Sequence, residues 1–150
     1  MENTAYRFAI YSTPITFPLC FAVHTWIVLQ SPEFGVHRYE IHCYKNTQSG
    51  NYFYINSVPE KQGMPVFGFL NYWQSSLKFN SSKIYELSGD EAHEIVLRLE
   101  NEIQTYPHFN TYVLSPGPNS NTFTQWVIEK AGLAKRVQLP WNAFGKKFLL

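Results

Sequence analysis

Cys20-Phe21-Ala22-Val23-His24-Thr25-Trp26-Ile27-Val28-Leu29 is a near-continuous apolar run interrupted by one titratable ring. A strand with one wet face alternates apolar and polar residues. One that is apolar at almost every position is buried on both faces. The run therefore predicts a strand inside a sheet, and His24 within it needs either a partner or a task. Working outward, residues 6–12 read as a first strand ended by Pro14. Downstream, residues 38–44 alternate cleanly, with Tyr39, Ile41 and Cys43 on one side and Arg38, Glu40 and His42 on the other. Residues 45–50 are a turn cluster and 51–57 a further aromatic strand, so 38–57 reads as a hairpin. Residues 59–65 are a loop, 66–82 fit no single pattern, and 83–87 read as the last strand before a helix.

That helix is predicted near residues 88–105. Ser88-Gly89-Asp90-Glu91 has the form of a capping box, and Ala92, Ile95, Val96, Leu99 and Ile103 follow at helical spacing. Tyr106-Pro107 ends it, residues 111–114 read as a short strand, and Pro116-Gly117-Pro118 breaks the chain. A second helix is expected over 121–131, with Phe123, Trp126, Val127 and Ala131 close to one face. Neighbouring strands joined by short turns, with the helices set apart from them, make this the α+β class with an antiparallel sheet. At 150 residues the chain reads as a single domain.

Composition narrows the function. Charged residues are 15% and aromatics 17%, a balance that excludes disorder and suggests an aromatic core or an apolar cleft. A net charge of +1 gives no electrostatic footprint for nucleic acid. Lys130, Lys135, Arg136, Lys146 and Lys147 crowd the C-terminal end, opposed there only by Glu129; they are either a solvated edge or a weak contact for an anionic surface. Cys20 and Cys43 form no C-x-x-C, and the apolar stretch 15–29 is too short to span a bilayer. No basic segment precedes it as in a signal peptide, so the cytoplasm is the default compartment. No phosphate-binding loop is present, and His37, His42 and Cys43 make a poor metal set because strand neighbours face opposite ways. No cofactor is expected.

Gly117-Pro118-Asn119-Ser120-Asn121-Thr122-Phe123 places a serine between two asparagines where a helix begins. Helix starts present orphan N–H groups and favour negative charge, so Ser120 is either a cap or a nucleophile. Thr122 with Gln125 offers a competing capping box. A serine nucleophile needs a base, normally a histidine that a third group orients. Asp90, the single aspartate, sits in the first helix's capping turn, so the third group must be of another type. Centring the turn between the two central strands near Glu33 sets His24 opposite His42, with Glu40 next on the same face. Any even register then offers Glu40 or His42 as the orienter. Asn119 and Asn121 are turn residues or amide donors to an oxyanion.

The segments 21–27, 38–40, 106–107 and 117–123, with Leu139-Pro140 and Gly145-Lys146, resemble a bacterial family of proteins of unknown function across nearly the whole chain. More loosely, a His-bearing strand followed by further strands and a helix beginning Asn-Cys-x-x-Phe is similar to circularly permuted papain-like proteins. These include the lecithin retinol acyltransferase group, the PPPDE peptidases and relatives of bacterial cell-wall cysteine peptidases. The resemblance implies His24 as general base, Glu40 or His42 as its orienter, and Ser120 in place of the nucleophilic cysteine. It implies a hydrolase or acyltransferase acting on an amide or ester, or a silent module that binds a peptide, glycan or lipid.

Overall fold

In the computed structural model, which describes residues 6–15, 19, 21–63 and 81–148, the apolar run becomes the middle strand of a five-stranded antiparallel sheet. The strands are β1 (Arg7–Pro14), β2 (Val23–Ser31), β3 (Gly35–Ile41), β4 (Phe53–Ile55) and β5 (Ser82–Ser88), in the spatial order β4-β3-β2-β1-β5. Among the described residues two helices follow, α1 (Asp90–Glu102), extended by a 3-10 turn over Ile103–Thr105, and α2 (Ser120–Lys130). The class is α+β, as the order of elements predicts. No helix among the described residues is long and apolar enough to cross a membrane.

Burial on both faces follows from what covers each side of β2. Phe8, Ile10, Ile27, Leu29, Tyr39 and Ile41 point to one face and pack against Val96 and Leu99 of α1 and Phe123 and Val127 of α2. Ala9, Tyr11, Trp26 and Val28 point to the other and form a second, smaller cluster. Residues 57–63 cross that second face: Trp26 Nε1 donates to Glu60 O at 3.0 Å, and Arg38 donates to Pro59 O and Gln62 O. The hairpin register pairs Ile27 with Tyr39 and is thus centred on Glu33, as the alternation predicts.

Several boundaries differ from the sequence reading. The strand expected over 20–29 starts at Val23, because the chain turns at residues 21–22 and leaves Phe21 exposed; Cys20 itself lies outside the described residues. The same is true of 64–80, which holds Pro65 and most of the unassigned stretch 66–82. Residues 111–114 are not a strand: Val113 N–H bonds Pro118 O, but no ladder forms. The capping box of Ser88 and Glu91 is absent. Ser88 remains in β5, paired with Arg7, and Gly89 at φ 68° turns the corner into α1 as its N-cap. Glu91 instead meets Arg136.

Candidate functional site

His24 lies at the start of β2 with its ring on the Trp26 face, stacked on Trp26 and on His42 at centroid separations of 5.8 and 5.6 Å. Across the hairpin on that face stands Glu40, fully buried. Its Oε2 accepts from His24 Nε2 at 2.9 Å and from Arg38 at 2.8 Å. Its Oε1 accepts from the Ser57 hydroxyl at 3.1 Å, with His42 Nε2 at 3.4 Å. Arg38 in turn lies over the Trp26 ring, 4.0 Å from its centroid. The strand period alone puts these side chains on one face; burial makes their pairing compulsory, since a lone buried charge is costly.

The electrostatics fix the protonation pattern. Burial works to raise the Glu40 carboxyl, but hydrogen bonds from His24 and His42 outweigh it and hold Glu40 well below the usual carboxylate range. His24 is pushed below its ordinary value, by burial first and against the pull of Glu40. An ionised Glu40 only accepts, so a neutral His24 carries its hydrogen on Nε2 and its lone pair on Nδ1. Nδ1 takes no hydrogen bond from the described residues. His42 is placed less well, with its Nδ1 buried and without a hydrogen-bond partner among the described residues. The donor atoms of His24, Glu40 and His42 lie within 4.8 Å of one another, close enough for a metal set. Arg38 already serves as the resident cation on that carboxylate, which works against a second positive charge there.

Ser120 is the first residue of α2, and the cap is neither Ser120 nor Thr122 but Asn119. The Asn119 side-chain oxygen accepts from Asn121 N–H and Thr122 N–H, and the Thr122 hydroxyl lies 3.1 Å from Asn119 N–H, which donates to it. The expected pairing of Thr122 with Gln125 does not form, and Gln125 reaches Glu129 instead. Asn119 O takes the Phe123 N–H, leaving the Ser120 N–H as the one first-turn donor that Asn119 does not engage. Asn119 Nδ2 donates to Leu114 O and Phe144 O, and Asn121 Nδ2 to Val23 O and Phe144 O. Both amides are therefore committed to tying loops together, and an oxyanion would find its donor in the Ser120 backbone instead.

Asn121 brings the two motifs into contact. Besides holding Val23 O, it accepts at Oδ1 from the Thr25 hydroxyl at 2.9 Å, so it grips β2 on either side of His24. Ser120 is thus beside the start of β2, but no hydrogen bond links its hydroxyl to His24, whose ring lies on the face turned away from α2. Ser120 instead lines a pocket of about 290 Å³, with Asn119, Ser115 and Asn121 as its other polar residues. Its apolar lining is Ile15, Leu19, Phe21, Ala22, Leu114 and Phe144, with Tyr112. Sequence reading missed this pocket and the role of Ser57. The pocket's walls come from irregular segments whose apolar residues follow no period. A pair of Arg38 with Glu40 is legible from their spacing on one strand face, but as a surface pair; the structure buries it.

No curated protein and no solved structure matches the chain significantly. A family model does, described as a protein of unknown function (DUF3750) and matching residues 5–148. The chain belongs to that family.

Proposed function

We propose that the chain is a Ser–His hydrolase or acyltransferase of circularly permuted papain-like architecture, acting on an ester or amide whose apolar part occupies the Ser120 pocket. The observation that carries this reading is the division of labour on the His24 ring: Glu40 holds Nε2, and Nδ1 keeps its lone pair. The depressed basicity of His24 keeps it neutral at pH 7, as a general base must be. In the reaction, Ser120 Oγ attacks the carbonyl carbon and its proton passes to His24 Nδ1 through a water at the start of β2, since the ring lies on the other face of the sheet. The tetrahedral oxyanion points to the Ser120 N–H at the positive end of α2. Collapse expels the alcohol or amine with that proton, and water or an acceptor alcohol then releases the acyl group from Ser120 by the reverse relay.

A second reading is favoured by the missing hydrogen bond between Ser120 and His24: a silent module whose apolar pocket binds a lipid. Walls of Ile, Leu and Phe suit a lipid better than a glycan. A fluorophosphonate label separates the two. The enzyme reading expects label on wild type that is lost in both Ser120→Ala and His24→Ala. If every form stays unlabelled while a fluorescent fatty acid still binds, the silent module is the correct reading.

A further inference from the structure

The mouth of the Ser120 pocket is ringed by apolar side chains that the fold leaves in water. Trp141 is 79% exposed, Phe21 58%, Leu114 47% and Phe144 40%. They form one patch rather than scattered residues. Phe144 meets Phe21 edge-on at 6.1 Å and Trp141 at 6.4 Å, and Phe21, Leu114 and Phe144 also line the pocket. The segments that present them are anchored: Asn142 Nδ2 donates to Phe21 O, and Asn121 Nδ2 to Phe144 O. A pinned aromatic patch of this kind marks an interaction surface.

Charge says which kind. Among the described residues around the mouth, Ile15, Leu19, 21–22, 112–115 and 141–148, there is no aspartate or glutamate, and no acidic residue follows Glu129. The same C-terminal segment carries Lys146 and Lys147. Lys146 Nζ donates to Leu139 O and Pro140 O, which sets its charge beside Trp141, and Lys147 is exposed. Aromatic tips with a neighbouring cation and no carboxylate suit the headgroup layer of an anionic bilayer, where Trp rings settle and lysines are attracted. A protein partner would have no need for the patch to run continuously into an apolar pocket, whereas a membrane would deliver a lipid directly into it.

We propose that the face formed by Phe21, Leu114, Trp141 and Phe144, flanked by Lys146 and Lys147, docks on an anionic lipid surface and opens the Ser120 pocket toward it. The proposal extends the reading of that pocket as a lipid site but does not depend on catalysis, so docking is measured in Ser120→Ala as well as in wild type. Docking without fluorophosphonate labelling would remove the catalytic reading alone.

The experiment is co-sedimentation with vesicles of equimolar phosphatidylglycerol and phosphatidylcholine, against vesicles of phosphatidylcholine only. Wild type is expected to sediment with the first and not the second, less so at high salt. Trp141→Ala with Phe21→Ser should weaken binding about tenfold or more, and Lys147→Glu about fivefold. Urea midpoints close to wild type would show that these exposed changes leave the fold intact. No sedimentation, equal sedimentation with both vesicles, or unchanged binding by the double variant would overturn the proposal. So would a concentration-dependent dimer abolished by Trp141→Ala, which would assign the patch to a second copy of the chain.

Discussion

Glu40 is the residue on which the buried cluster turns. It answers Arg38 and His24 with the same oxygen, so its loss strands a buried guanidinium under residues 57–63. Glu40→Gln is expected to cost about 3–5 kcal/mol, the range for breaking a buried ion pair from one side, as read by urea unfolding at pH 7. A cost below about 1 kcal/mol would mean that water already screens the pair. The pH dependence has a definite sign. His24 is held below its ordinary value in the folded chain, so unfolding below about pH 6.5 takes up a proton that the native state refuses. Its contribution is full above that pH and is lost as pH falls, and the depressed Glu40 acts in the same direction through the carboxylate range. Urea midpoints should therefore drop between pH 7 and pH 5 in wild type, and drop less in His24→Gln. A flat wild-type profile would refute the assignment of a neutral buried ring.

At the level of the element, the N-terminus of α2 is held by a cradle built from three separate segments. Asn119 caps the helix, binds Leu114 O and Phe144 O, and lies so close to Gly145 that a Cβ there would collide with the Asn119 amide. Gly145 also sits at φ 92°, a conformation that side chains resist. Gly145→Ala should consequently destabilise by clearly more than Gly89→Ala. Gly89 shares a positive φ but has open space at its Cβ, so its change should cost only the backbone penalty of about 1–3 kcal/mol. Equal thermal shifts for the two would show that the cradle is loose. Asn119→Ala removes a cap and two further bonds, and a loss of about 2 kcal/mol or more is expected in the same assay. The sequence had marked this corner as a helix start but could not choose the cap. Three capping residue types stand within four positions, and the choice rests on Gly145 and Phe144, more than twenty residues away.

Across the whole molecule, the question is whether Ser120 on α2 and His24 on β2, two elements joined by the contacts of Asn121, cooperate. Replacing Ser120 with cysteine in a Cys20→Ala/Cys43→Ala background makes that cooperation measurable. If His24 Nδ1 serves position 120, the introduced thiol should alkylate rapidly in mildly acidic buffer, and His24→Ala should return it to a free value of about 8.5. A thiol titrating near that value with His24 present would remove the base from the mechanism. Filling the pocket instead, by Ala22→Phe, should abolish fatty-acid binding while leaving the urea midpoint of the sheet close to wild type, because Ala22 lies outside the strands.

What the sequence determined by itself was local and periodic. The apolar run around Trp26, the alternation through Glu40 and the helical spacing of Ala92, Val96 and Leu99 each carry their own period, so the sheet, the hairpin register to within an even shift, and the helices could be read directly. The partnership of His24 with Glu40 was readable for the same reason, since facing positions on one hairpin follow from counting. Tertiary structure alone decided the rest. Arg38 became a buried rather than a surface counter-charge because residues 57–63 cover it, and Ser88 lost its cap because β5 kept it. The pocket's walls come from Ile15, Leu19, Phe21 and Ala22, from residues 112–115 and from Phe144, which follow no period and meet only when distant parts of the chain pack together. Contacts between such segments are chosen by the global minimum of burial and hydrogen bonding, and no single stretch of sequence encodes them.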